Sequence, residues 1–487
     1  MFLVRARDFH VCAKFNTYIF FNYSLKMTAR TLCLFENSKE NNKTFNSMID
    51  CTVHDLIELP RTWSTNLPRR HWQIRTNHAK ILFPESMPNM VLSTREARFY
   101  WYLYSSMSKH QLSYQRTLNS VFLKALNKIL RKRILFSEIT ISRELLRADA
   151  FDESSRRFMI NQLERCLRQQ TNLKSLCLED LRLKRIEGVR LLLSLVNSSK
   201  TMRSLYCWKI FETNVGPLRI ASTHPSGSKT CRDIIGGKSN WFKAISSFEK
   251  LTTLSLNYAY LATPTGDLLI GLAKKLGSQW QWLQLLCPED EIPVMADPNE
   301  IVRVSAMPDV AWRETRLWAP ALKVQYVFID IPKYDMHKRF YTEATPIHTF
   351  ALSTGTIICS KQPWHLDCTI KTICKWYPKT LVHLYLQLWH HRERLDTQLK
   401  KLFPSLPRME IFEFVGEIQT LRTLCAMCCQ IREKKCSVNR VSIQLQEAIG
   451  VKVDQEKWEK SIECLLCCFR EDFVRMNVRF EVSRYPC

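Results

Sequence analysis

The sequence predicts an α/β fold: a curved solenoid of short parallel strands backed by helices, with a small helical remnant on its N-terminal side. Three observations predict it. First, an apolar-x-x-apolar-x-apolar phrase recurs along the chain. It reads Leu173-Leu176-Leu178, Met202-Leu205-Cys207, Leu251-Leu254-Leu256, Trp282-Leu285-Cys287, Ile347-Phe350-Leu352, Leu381-Leu384-Leu386, Met409-Phe412-Phe414, Val438-Val441-Ile443 and Phe473-Met476-Val478. Second, the last part of each phrase alternates apolar and polar residues, which puts its side chains on one side of a short strand. Third, a stretch with apolar residues at helical spacing precedes most phrases. A lone strand-plus-helix unit cannot bury its own face, so such units have to stack.

This is the signature of leucine-rich repeats. Residues 1–57 read as an atypical, poorly ordered segment, polar and Asn/Lys-rich between Glu36 and Asn46. Glu58 to Ile74 reads as a compact stretch with Trp63, Trp72, Pro60 and Pro68, and residues 58–92 as an N-terminal cap. The repeat domain is expected over 93–487. It opens with a helix over 93–103 and a strand over 134–141. The first repeat helix carries Met159, Leu163, Cys166 and Leu167. Later helices use Ile186, Val189, Leu193 and Val196; Leu268, Leu272 and Leu276; Ile370, Ile373 and Tyr377; Ile418, Leu421, Cys425 and Cys428; and Trp458, Ile462, Leu465 and Phe469. Two stretches read as insertions, Gly216 to Lys238 and Pro288 to Pro308. Insertions fall on one face of a solenoid and often form its binding loops.

With 46% apolar residues the chain can fill a long core. Only 11 glycines are present, which argues against glycine-lined phosphate loops and multi-blade β architectures. The net charge of +25 attracts acidic partners. The basic residues are spread, and no nucleic-acid-binding module or basic stripe is apparent, so nucleic acid is not an expected partner. Of the 19 cysteines, many lie inside phrases or helices, as small buried apolar residues do. No secretory signal or membrane-length apolar run stands out, so the expected setting is cytoplasmic or nuclear with reduced thiols.

No catalytic constellation emerges, and no cofactor or enzyme activity is expected. Gly227-Ser228-Lys229-Thr230 fails as a phosphate loop, because Ser228 stands where glycine must precede the lysine. His383, His390 and His391 read as surface or capping residues. Cys425, Cys428 and Cys429, with Cys464, Cys467 and Cys468, have zinc-knuckle spacing but sit in helical stretches without turn residues. They are expected to be small core residues on helices, not metal ligands. Trp312 and Trp318, beside an insertion, are candidate substrate-recognition anchors, since exposed aromatics concentrate binding energy.

Several segments together resemble F-box proteins with divergent leucine-rich repeats. They are Phe242-Lys243, Phe248, Leu251 and Leu254-Ser255-Leu256-Asn257-Tyr258; Leu322-Lys323-Val324 through Phe328; Pro346-Ile347-His348-Thr349-Phe350-Ala351-Leu352; and Thr380-Leu381-Val382-His383-Leu384 with Leu395 and Leu406. The likeness runs loosely from Trp63 onward. It implies an F-box module docking on Skp1 of a cullin ubiquitin ligase, with the repeats presenting a protein substrate. That module opens with a Leu-Pro-x-x-Ile/Leu helix and closes with Cys-x-x-Trp, followed shortly by a second Trp. Trp63 and Trp72 match the closing pair, with Leu67 between them. The opening helix is not found, so the F-box reads as truncated or degenerate. By this resemblance the adaptor-binding remnant is Ile57, Leu59, Trp63, Leu67 and Trp72. Two readings stay open: a substrate-recognition subunit of a Skp1–cullin–F-box ligase, and a stand-alone repeat scaffold that has lost Skp1 binding.

Overall fold

The computed structural model describes residues 98–101, most of 123–141, 153–178, 181, 183–211, 240–288, 307–354, 364–388, 393–446 and 455–484. The expected segments 1–57 and 58–92 lie outside these residues. So do the insertion at 216–238 and nearly all of that at 288–308. The chain divides into two compact units, residues 1–134 with 140–163, and residues 135–139 with 164–487.

In the first unit, Arg98–Trp101 forms a strand (β1), not the helix expected over 93–103. Three of its four residues are aromatic, and aromatic side chains suit the open pleat of a strand. Two elements have residues in both units: strand β2, Glu138–Ile141, and helix α1, Glu153–Gln169. The residues read for that helix, Met159, Leu163, Cys166 and Leu167, are all buried.

The second unit then alternates strand and helix. β3 is Ser175–Leu178, α2 Arg185–Leu193, β4 Ser204–Cys207, α3 Asn240–Ser246 and β5 Thr253–Asn257. α4 is Tyr258–Leu261, α5 Asp267–Leu276, β6 Trp282–Pro288, α6 Asp309–Trp318 and β7 Lys323–Ile329. α7 is Tyr334–His337, β8 Ile347–Ser353, α8 Leu366–Trp376, β9 His383–Gln387 and α9 Asp396–Ser405. β10 is Ile411–Gly416, α10 Leu421–Arg432, β11 Arg440–Leu445, α11 Gln455–Met476 and β12 Arg479–Arg484. From β3 to β12 every strand pairs in parallel with the next in chain order. The unit is an α/β assembly on an open, all-parallel sheet.

The phrase residues fill equivalent places. Leu176, Leu205, Leu254 and Leu283 are direct neighbours across β3 to β6. Phe350, Leu384, Phe412 and Val441 are neighbours across β8 to β11. All of these are buried. Each such side chain taken from water contributes about 1.5–3 kcal/mol. The helices close over this face: the Phe403 ring of α9 meets Phe412 of β10 at 5.5 Å, and Phe473 of α11 stacks on Phe480 of β12 at 5.2 Å.

Two of the expected phrases are displaced. In the sixth strand, Trp280 takes the first place of the phrase, ahead of Leu283 and Leu285, and is fully buried. β6 already begins at Trp282, so strand alternation turns Trp282 to the opposite face from Leu283. At the end of the unit, Phe473 and Met476 belong to α11. The strand residues that continue the rows are Phe480 and Val482, paired with Val441 and Ile443. The first place of that phrase is Asn477, which hid the pattern.

The rows also shift register midway. Leu285 of β6 pairs with Tyr326 of β7, and Tyr326 with Phe350, the first strand position of the next phrase. The seven-residue strands β6 and β7 span both registers. An irregularity between Val324 and Gln325 leaves His348 of β8 bulged out of the pairing.

Helix α2 turns the other way from expectation. Ile186 is 75% exposed, and Leu193 and Val196 are exposed too, while Leu191, Leu192 and Leu195 are buried. This segment has two apolar stripes, and Gly188 decides between them. A Cβ at Gly188 would lie 2.4 Å from the Phe211 ring, so only the glycine face can approach that closely.

Within the second unit, successive strand–helix repeats are tied by side chains reaching one repeat back. Asn197 Nδ2 donates to Arg168 O at 2.6 Å, Ser198 Oγ to Gln170 O at 2.7 Å, and Arg408 Nη1 to Lys379 O at 2.8 Å. Gln430 Nε2 donates to Lys400 O at 2.6 Å, and Ser437 Oγ to Pro407 O at 2.9 Å. Carboxylates tie them as well. Glu393 accepts the backbone N–H groups of Trp364, His365 and Leu366 at 2.6, 2.7 and 2.8 Å, capping the start of α8. Asp396 of α9 accepts from the N–H of Thr420 at 3.2 Å and the hydroxyl of Thr423 at 2.5 Å at the start of α10.

Candidate functional site

Strand alternation leaves a second sheet face, turned away from the leucine rows. Its side chains are mixed polar and aromatic. One row runs Cys177, Tyr206, Ser255, Gln284, Gln325, Thr349, His383, Ile411, Arg440 and Arg479. Ser255 Oγ donates to Gln284 Oε1 at 2.9 Å. One strand position further on, the Tyr385 hydroxyl donates to Gln387 Oε1 at 3.1 Å. Gln284, Gln325, Thr349, His383, Tyr385 and Glu413 are all buried.

His383 corrects the expectation of a surface or capping histidine. It is 4% exposed, and neither ring nitrogen has a hydrogen-bond partner. Its Nε2 lies 3.9 Å from Glu413 Oε2, whose other oxygen is 3.4 Å from Arg440. Burial, then the Arg440 charge, pushes the His383 pKa down to about 4, so the ring is neutral at pH 7. Nothing in the local pattern warned of this, because a polar residue on an alternating strand reads as solvent-facing. His390 and His391 lie outside the described residues.

Where strands β6 to β9 begin, cationic and aromatic side chains converge. Lys323 Nζ sits 5.1 Å from the Trp282 ring centroid, and the His348 ring meets Trp282 edge-on at 4.9 Å. His348 Nδ1 is 3.3 Å from Thr349 Oγ1. Burial, then the charge of Lys323 and smaller electrostatic contributions from His383 and Arg408, takes the His348 pKa down to about 3. Lys323 and Arg408 are exposed, and Trp282 and His348 are half-buried.

The other expected residues fall elsewhere. Trp312 is fully buried on α6 and cannot be a surface anchor. It lies on the inward stripe with Ala311 and Thr315. Trp318, at the end of the same helix, is 48% exposed, and Lys274 Nζ stands 5.8 Å from its ring centroid. Ile57, Leu59, Trp63, Leu67 and Trp72 lie outside the described residues. Of the cysteines, Cys428 is buried and Cys425 and Cys429 are half-buried on α10, but Cys464, Cys467 and Cys468 are exposed on α11. The inward stripe of α11 is Ile462, Phe469 and Phe473, which leaves the three thiols on other sides of the helix. Among the described residues no three metal-ligating side chains come together, and no helix is long and apolar enough to cross a membrane. No protein-family model matches the chain.

Proposed function

We propose that the chain is the substrate-recognition subunit of a Skp1–cullin–F-box ubiquitin ligase. In this reading residues 93–487 form divergent leucine-rich repeats that hold a protein substrate, and the remnant around Trp63 and Trp72 contacts Skp1. The protein transfers no chemistry itself; it works in the cytoplasm or nucleus by bringing a substrate near the ligase. One observation carries the reading. Buried leucine-type residues occupy equivalent places in successive parallel strands, while the opposite face changes from repeat to repeat. A constant core with a variable face is how a repeat array recognises a partner. The resemblance of Leu251 to Tyr258 and Pro346 to Leu352 to F-box repeat proteins supports the ligase part.

The test is affinity purification of the tagged full chain beside one starting at Thr76. Skp1 and cullin are expected with the full chain and not with the shorter one. Recovery of a specific partner without Skp1 from either would overturn the ligase part and leave a stand-alone scaffold.

A further inference from the structure

The charge of +25 has no partner assigned so far, and one place on the second sheet face is built to receive one. Trp282 and Lys323 are direct neighbours at the starts of β6 and β7. The Lys323 ammonium lies over the indole, and among the described residues no acid pairs with it. The bulge of β8 presents His348 against the same indole. Arg408 donates to the Lys379 carbonyl, and among the described residues no carboxylate pairs with it. His383, paired with Thr349 across β8 and β9, is buried with both ring nitrogens unbonded. The acids of the adjoining strand region are Glu410 and Glu413, and Glu413 is balanced by Arg440.

We infer that this rim, formed by Trp282, Lys323, His348 and Arg408 above the buried His383, binds an Asp/Glu-rich segment of a protein partner. Its carboxylates pair with Lys323 and Arg408, and the half-buried His348 imidazole donates to them. Two cations held in place beside unsaturated hydrogen-bonding groups lose little freedom on binding a carboxylate. A peptide suits the site better than nucleic acid, because the cations form one local cluster and not a track along a backbone. The inference rests on the recognition reading above and gives it a substrate class.

The test is fluorescence anisotropy on the full chain with a fluorescein-labelled peptide alternating Glu and Ser. Its Gln-for-Glu counterpart and a single-stranded DNA of equal charge serve as comparisons. The Glu peptide is expected to bind and the Gln peptide not. The double variant K323E/R408E is expected to weaken the Glu peptide at least tenfold, and K323Q/R408Q to weaken it less. K275E/K401E, exposed on α5 and α9, should bind as the native chain does. Equal binding of the Glu and Gln peptides, or full binding by a folded K323E/R408E variant, would overturn the inference. So would DNA binding tighter than the peptide and lost in that variant. Skp1 co-purification of the same variant separates the two proposals: peptide binding without Skp1 supports this one and sinks only the ligase part.

Discussion

Three histidines in the second unit are held neutral. His337 is buried in an aromatic core with Phe328, Tyr334 and Tyr341, and its Nε2 is 2.8 Å from Thr369 Oγ1. Burial takes its pKa down to about 3, against smaller upward pulls from the Ile331 backbone and Asp335. His383 is depressed to about 4 by burial and Arg440, even with Glu413 nearby, because Arg440 sits closer to that carboxylate than the imidazole does. A histidine whose folded pKa lies below its unfolded one binds protons first in the unfolded state. Stability is therefore full above the unfolded value and falls as pH drops through the window toward the folded value. Between pH 7 and 5, His337, His348 and His383 together should cost about 6 kcal/mol of stability. Urea unfolding across that range should show the loss, and His383→Gln should remove about a third of it. A pH-independent midpoint would mean that these rings carry protons in the folded chain. Neither environment was legible in the sequence. Alternation says only that His383 leaves the leucine face, and burial of the second face comes from tertiary packing that no local pattern records.

Strands were legible where the phrase began with an apolar residue, and helices where a single apolar stripe existed. Both fail for stated reasons. Asn477 breaks the last phrase, an early strand start turns Trp282 outward, and α2 offers two stripes of equal apolarity. The α2 assignment has a direct test. Ile186→Glu should change stability by no more than about 0.5 kcal/mol, as exposed substitutions do, whereas Leu192→Glu should cost more than about 3 kcal/mol by burying an unpaired charge. Equal effects by thermal melting would return the helix to the orientation expected from sequence. The links between units were not legible either, since a capping acid normally stands just before its own helix. Glu393 instead sits well downstream of the helix start it serves and holds three N–H groups there. Glu393→Ala leaves those donors to water, with an expected loss of about 1–2 kcal/mol. Glu393→Gln should recover part of it, because one amide oxygen can still accept. Chemical denaturation of the three chains checks the order.

Across the second unit each strand depends on the strands beside it, so stability should be graded along the sheet and not uniform. From β5 to β10 the inward rows are buried and the second face is largely buried as well. At β12 the order breaks down: Phe480 and Val482 are only half-buried, and Arg479, Glu481, Ser483 and Arg484 are exposed. Among the described residues β12 pairs with one strand, β11, and charged side chains such as Arg479, Glu481 and Arg484 disfavour pairing at its other edge. In the helix before it, α11, only Ile462, Phe469 and Phe473 are buried among the side chains described from Trp458 onward. Few apolar contacts and open backbone hydrogen bonds place this end low on the stability scale. Native-state hydrogen exchange should therefore find the amides of β12 and α11 exchanging through local opening, at free energies well below those of β6 to β9. Cys464, Cys467 and Cys468 should react with a maleimide at the rate of open thiols, while Cys166 and Cys428, buried and with pKa raised to about 12, should react only through unfolding. The two readouts probe the same gradient independently. If β12 were as protected as β7, or Cys464 as slow as Cys428, the last repeat would be closed by contacts other than those along β11, and nearest-neighbour stacking would not describe this array.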